Sequence, residues 1–199
     1  MPRNDVRTKM VEGAVRLLAI NGVEGTSFAG VLATTGAPRG SVYHHFPGGK
    51  TELLHAALDL ASERGLAAME ATRGQPPAVV VARFLDLWRE LLNRSKLTAG
   101  CAVLAVTVAA GDNELLDHAG TIFRTWADVL ADLFATSGMK KAPARELAVT
   151  VIAATEGAVA LSRAQRSREP FDHVAATLTR LAKSNSGALR LGHSIRSVD

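Results

Sequence analysis

The chain is expected to be all-α, with about nine helices. Three observations carry that expectation. Apolar residues fill 47% of the 199 positions, yet only 5% are aromatic, and alanine and leucine dominate. Such a composition favours helices over sheets. Apolar residues recur at three- and four-residue intervals in segment after segment, each closed by glycine, proline or an asparagine–glycine pair. Neither a strand-like alternation nor an internal repeat stands out.

Each element has its own justification. Val6, Met10, Ala14, Leu17 and Leu18 share one face of a first helix, and Asn21-Gly22 supplies a left-handed stop. Thr26 or Ser27 caps a second helix reaching about residue 35, with Phe28, Val31 and Leu32 inward. Gly36 marks a turn. Pro38 suits the first turn of a third helix, where its missing N–H costs nothing, and Pro47-Gly48-Gly49 ends that helix near residue 46. A long helix over residues 50–72 carries Leu53, Leu54, Ala57, Leu58, Ala61 and Met69, before the loop Arg73-Gly74-Gln75-Pro76-Pro77. Residues 78–94 form a fifth helix, with Val81, Leu85, Trp88 and Leu92 inward. Residues 101–110 form a short apolar sixth, stopped by Gly111. Asp112 or Asn113 caps a seventh to residue 136, with Leu116, Phe123, Trp126, Leu130 and Phe134 inward. The last pair occupies residues 144–167 and 170–183, parted by Arg168-Glu169-Pro170. Periodicity fades over residues 184–199, which are expected to form a disordered tail.

Charge is spread unevenly. Residues 1–50 hold six Lys/Arg against three Asp/Glu, most of the net charge of +4. Basicity at that end suits contact with a polyanion, although a solvated basic face would look the same. The single cysteine, Cys101, excludes an internal disulfide framework and a cysteine-based zinc site. The opening MPRNDVRTKM is polar, and no continuous apolar run approaches the ~18 residues of a membrane span. A cytoplasmic protein without membrane contact is therefore expected. No metal or cofactor motif stands out.

The informative stretch is TSFAGVLATTGAPRGSVYHHFPGGKTELL, residues 26–54. Two short helices joined by a glycine turn, then a basic and aromatic surface, follow the order of a helix-turn-helix that enters a DNA groove. Val42 and Phe46 stand four apart and would anchor the third helix on Phe28, Leu32 and Leu18. Arg39, Gly40, Ser41, Tyr43 and His44 are left on the outward arc. Arg39 can pair bidentately with a guanine edge, Gly40 lets the backbone approach closely, and Ser41 can serve bases or phosphates. Tyr43 and His44 can donate to phosphate oxygens, or simply pack and face solvent. Thr26 and Ser27 put hydroxyls at a helix N-terminus, a natural phosphate site, and Lys50 adds charge to another. Gly48-Gly49-Lys50-Thr51 superficially resembles the end of a nucleotide-binding loop. However, His44 stands where that loop needs its first glycine, and no strand precedes it.

Thr26, Phe28, Val31, Ala33, Gly36, Gly40, Ser41, Val42, Tyr43, His45, Phe46, Lys50, Leu53 and Leu54 closely resemble the DNA-binding region of TetR-family transcriptional repressors. The resemblance implies phosphate contacts at Thr26, Tyr43, His44 and Lys50, and base reading at the start of the third helix. It implies a DNA-binding domain at residues 1–49 and a ligand-binding and dimerisation domain at residues 50–183. It also implies a homodimer, joined through its last two long helices, on a palindromic double-stranded operator. Gly100-Cys101, the segment around Phe123 and Trp126, and Ala153-Ala154-Thr155-Glu156-Gly157-Ala158 further resemble the LmrA/YxaF-like subgroup, implying a small-molecule effector.

Trp88, Leu104, Phe123 and Trp126 are candidate pocket walls, with plain core packing as the alternative for each. Glu156 lies in an apolar stretch, where an ionised carboxylate is costly unless paired. It faces a polar ligand group or pairs with Arg163, Arg124 or another arginine. Cys101 is either a ligand contact or an inert buried thiol. Shift of the helix over residues 50–72 on ligand binding would alter the spacing of the two reading helices and release DNA. Enzyme motifs are missing, and His55, His118 and His173 suggest no shared site. A ligand-independent DNA-binding protein and, more remotely, an enzyme using the helical pocket are the alternatives.

Overall fold

A computed structural model describes residues 3–109, 111 and 113–191, without side-chain detail for residues 3–5 and 185–191. Its elements are α1 (Arg3–Asn21), α2 (Phe28–Thr35), a 3-10 turn (Arg39–Ser41), α3 (Val42–His45), α4 (Gly49–Glu70), α5 (Pro77–Arg94), α6 (Ala102–Ala109), α7 (Asn113–Thr136), α8 (Lys141–Gln165) and α9 (Glu169–Leu191). These nine α-helices, with no strand among the described residues, are the all-α fold expected. Asp112, one of the two expected caps of α7, lies outside the described residues, as does the tail from residue 192. Residues 184–191, expected to be disordered, instead continue α9.

The chain divides into two compact units, Met1–Arg64 with Thr98–Phe123, and Gly65–Leu97 with Arg124–Asp199. Compactness thus divides it elsewhere than at the functional boundary expected after residue 49. In the first unit, α1 packs against α2 and α6. Gly13 permits the close approach to α2, because a Cβ there would lie 2.6 Å from Thr35 Cγ2. The Gly100 N–H donates to Ala19 O at 2.7 Å, joining the segment before α6 to the end of α1. Met10, Leu18, Val31, Phe46, Leu53, Leu58 and Val103 are buried in this unit.

The second unit is built on α5, α8 and α9. Val81, Leu85, Leu92, Leu130, Phe134, Val151 and Phe171 are buried there. The buried Ser162 hydroxyl accepts the Phe171 N–H at 3.1 Å, satisfying a donor at the start of α9. Leu116, expected inward on α7, is 39% exposed, whereas Leu115 is 3% exposed. Trp126, Leu130 and Phe134 are buried as expected, so the exchange is confined to the start of the helix.

Arg73, just beyond α4, donates to both oxygens of Glu70 and to Asp132, each at 2.8 Å. The hydrogen bond from Arg73 holds the Glu70 carboxyl below its ordinary value of 4.5. A depressed carboxylate stabilises the fold above its unfolded pKa and loses that contribution as pH falls through its folded one. Glu70→Gln should therefore lower the unfolding midpoint slightly at pH 7, and less so as pH drops below 4.5. Urea titrations at the two pH values measure the difference; a gap that widens in acid contradicts this account.

Candidate nucleic-acid interface

Residues 26–46 divide sharply between anchoring and display. Ser27 is the N-cap of α2: its backbone is extended (φ −126°, ψ 158°) and its hydroxyl accepts the Gly30 N–H at 3.1 Å. Thr26 plays a different part from the one expected. It is fully buried, its hydroxyl donates to Gly22 O at 2.8 Å, and its N–H bonds Val23 O at 3.2 Å. In this arrangement Thr26 closes the turn between α1 and α2 and offers neither group to a phosphate. α2 ends at Gly36, whose φ of 67° is left-handed, with its N–H on Leu32 O at 2.9 Å.

The third element is not one continuous helix. Pro38 remains extended (φ −63°, ψ 138°), and a 3-10 turn covers Arg39–Ser41 before the single α-turn Val42–His45. The cause is local. Pro38 O accepts both the Ser41 N–H at 3.0 Å and the Ser41 hydroxyl at 2.6 Å, which favours a three-residue turn. Ser41, expected to meet bases or phosphates, spends its one hydroxyl proton within the chain and presents an acceptor.

Anchoring falls to Val42 and Phe46, as expected, at 2% and 0% exposure. The Arg7 guanidinium lies 5.2 Å from the Phe46 ring centroid. Outside them, Arg39, Gly40, Tyr43 and His44 are exposed, with Tyr43 at 77%. The Phe28 and Tyr43 rings are 6.3 Å apart, inclined by 56°. Beside them runs an open groove of about 480 Å³ lined by Phe28, Ala29, Leu32, Ala33, Ala37, Arg39, Val42 and Tyr43. Ala29 and Ala37 escape sequence reasoning, which looks for groups that bind; with Ala33, their smallness keeps the groove open. Lys50 is half-exposed in the first turn of α4. In the same turn, the Glu52 carboxylate accepts the Gly48 N–H at 2.8 Å.

Two sequence profiles match this chain. "Bacterial regulatory proteins, tetR family" covers residues 10–57. "Transcriptional regulator LmrA/YxaF-like, C-terminal domain" covers residues 77–177, just over half of the chain. The chain belongs to the TetR family. As a member it is a DNA-binding transcriptional regulator, and the second match places it in the LmrA/YxaF-like group. A helix-turn-helix-type regulator of Mycobacterium tuberculosis is 36% identical over 175 residues, which span 84% of this chain and 89% of that one. LmrA of Bacillus subtilis is 29% identical over 192 residues, 92% of this chain and 100% of LmrA. Among crystal structures, a TetR regulator of Chloroflexus aurantiacus superposes with a TM-score of 0.73 at 26% identity, covering 89% of this chain and 94% of its own. One from Legionella pneumophila shares the fold with a TM-score of 0.78 at 18% identity, covering 87% and 95%.

The six effector-site candidates of this TetR-family regulator fall in both units. Trp88, Trp126 and Glu156, in the second, are buried to more than nine-tenths. Trp88 Nε1 is buried without a hydrogen-bond partner, and its ring meets Phe84 edge-on at 6.3 Å. Trp126 lies against Gly65. Leu104 and Phe123, in the first unit, are half-buried. Cys101 is buried there, with Sγ accepting the Leu104 N–H at 3.4 Å as a cap on α6.

One grouping contradicts the sequence reading outright. His55 and His118, expected to be unrelated, meet within the first unit through their Nδ1 atoms. Their separation of 63 positions leaves no periodic trace in the sequence.

Proposed function

We propose that this TetR-family regulator is a repressor that binds a palindromic operator as a homodimer and is released by a small-molecule effector. The exposed surface of Arg39, Gly40, Tyr43 and His44, held in place by buried Val42 and Phe46, carries the DNA part of the reading. Arg39 and Gly40 meet base edges, with Ser41 as an acceptor. Ser27, Tyr43, His44 and Lys50 meet phosphates on either side.

Support for the homodimer comes from α8. This helix is long and apolar enough to cross a membrane by length and composition, yet half of that window is buried within the protein. Its outward arc is also apolar and mostly small: Val149, Ala153, Gly157, Ala160, Leu161 and Ala164 are exposed. Leu181 on α9 is 41% exposed. A helix apolar on both sides fits burial against a twin. The effector part rests on Trp88, Phe123, Trp126 and Glu156 as candidate contacts, with a shift of α4 as the release step. The setting is the cytoplasm, and no catalytic role is assigned.

Selection of bound sequences from a random DNA pool tests this reading. A palindrome with half-site centres about one helical turn apart supports it; random or unpaired sites sink it. Lys50→Ala should weaken binding to every selected sequence and reduce the salt slope by about two, one for each protomer, whereas Arg39→Ala should relax the preference at one position of each half-site. Identical titrations for wild type and both variants would remove these assignments. A thermal-shift screen in which no stabilising compound also releases the operator would favour ligand-independent binding.

A further inference from the structure

His55 and Asp59 stand one turn apart on α4, and Glu114 and His118 stand one turn apart on α7, all within the first compact unit. The two imidazoles are about four-fifths buried, while both carboxylates are open to solvent. Their ring centroids are 4.7 Å apart and their planes differ by 22°, yet their Nδ1 atoms touch. Rings packed face to face would keep their atoms a van der Waals separation apart. These rings therefore meet edge to edge, with their Nδ1 atoms aimed at one another.

The far sides of the rings decide where the protons sit. Asp59 Oδ1 is 2.8 Å from His118 Nε2. An ionised carboxylate only accepts, so the His118 proton is on Nε2 and its Nδ1 is a bare lone pair. Glu114 Oε1 lies 3.7 Å from His55 Nε2, a buried nitrogen that makes no hydrogen bond. With no acceptor in hydrogen-bond reach of Nε2, the His55 proton sits on Nδ1 and is donated to the bare His118 Nδ1. One proton thus joins two nitrogens whose rings are each faced from behind by a carboxylate, and a cation can take its place while that proton moves to His55 Nε2, opposite Glu114.

We propose that His55 Nδ1 and His118 Nδ1 bind a late transition-metal dication of the zinc class, with Asp59 and Glu114 orienting the rings from behind. A carboxylate on the far nitrogen is the usual support of a metal-bound histidine. Imidazole selects zinc, copper or nickel over the oxygen-seeking magnesium and calcium. Among the described residues no group of three or more His, Cys, Asp or Glu is arranged to hold a metal ion. The protein thus supplies two nitrogens, water completes the shell, and the ion exchanges readily. With Zn–N bonds of about 2.0 Å, each ring must draw back by roughly half an ångström. The ion then ties α4, the helix that begins beside Lys50, to α7.

The test uses the full chain without an affinity tag, stripped of metal by chelator, with Zn2+ alone as probe and Mg2+ as control. Equilibrium dialysis should find one zinc per chain. Zinc at about a hundredfold its dissociation constant should raise the unfolding midpoint by about 5–10 °C, and magnesium should not. Asp59→Asn should weaken zinc binding by about tenfold or more with the stoichiometry unchanged, and the folded His55→Gln/His118→Gln double variant should lose it. Wild-type protein that binds no zinc, or whose histidines respond only to pH, overturns the site. So does zinc binding that survives in the double variant.

Discussion

Phe46→Ala is expected to cost about 3–5 kcal/mol of stability and to abolish operator binding. The helix it terminates, Val42–His45, is a single turn, far below the ~12–15 residues at which an isolated helix becomes even marginal in water. Packing must supply what local hydrogen bonding cannot. Phe46 is fully buried, its N–H closes the turn on Val42 O at 2.8 Å, and Arg7 lies over its ring. Alanine would leave a cavity beneath the short helix and remove the surface that Arg7 covers. Urea denaturation with an operator titration measures both effects, and Phe46→Leu should retain most of the stability. An alanine variant as stable as wild type would mean that the reading surface is held elsewhere.

Val149→Glu combined with Leu161→Glu is expected to produce a monomer and to lower operator affinity by about 10²–10⁴-fold. The two are the largest apolar side chains on the outward arc of α8, at 49% and 52% exposure. Two-fold symmetry would place each new carboxylate near its own copy or in apolar surroundings, at a cost that small neighbours such as Gly157 cannot relieve. Both residues are already exposed in the single chain, so the stability of the monomer itself should change by only about 0.5 kcal/mol. Sedimentation beside DNA titration separates the effects. A variant that remains dimeric with full affinity would place the interface on another face.

The anchors of the reading helix were legible because they are local: Val42 and Phe46 stand four apart, and their burial follows from that interval. Ser27 was legible as a cap, but its neighbour Thr26 was not distinguishable from it. The choice between the two hydroxyls depends on the turn at Gly22, whose carbonyl takes the Thr26 proton. The split of the third helix turned on competition for one carbonyl, Pro38 O, which composition does not display. Leu116 and Leu115 were exchanged because two adjacent leucines at the start of α7 both fit an apolar face, and only packing chooses between them. His55 and His118 were missed for a different reason. Their meeting is a property of two helices brought together by the fold, and neither helix alone contains it.

Cys101 is the chain's single cysteine, buried and hydrogen-bonded to the first turn of α6. A thiol reagent can reach that sulfur only after the turn has opened. The rate of labelling under native conditions therefore counts the openings of α6. The protein carries its own clock for local breathing, readable with and without DNA, and no engineered probe is required.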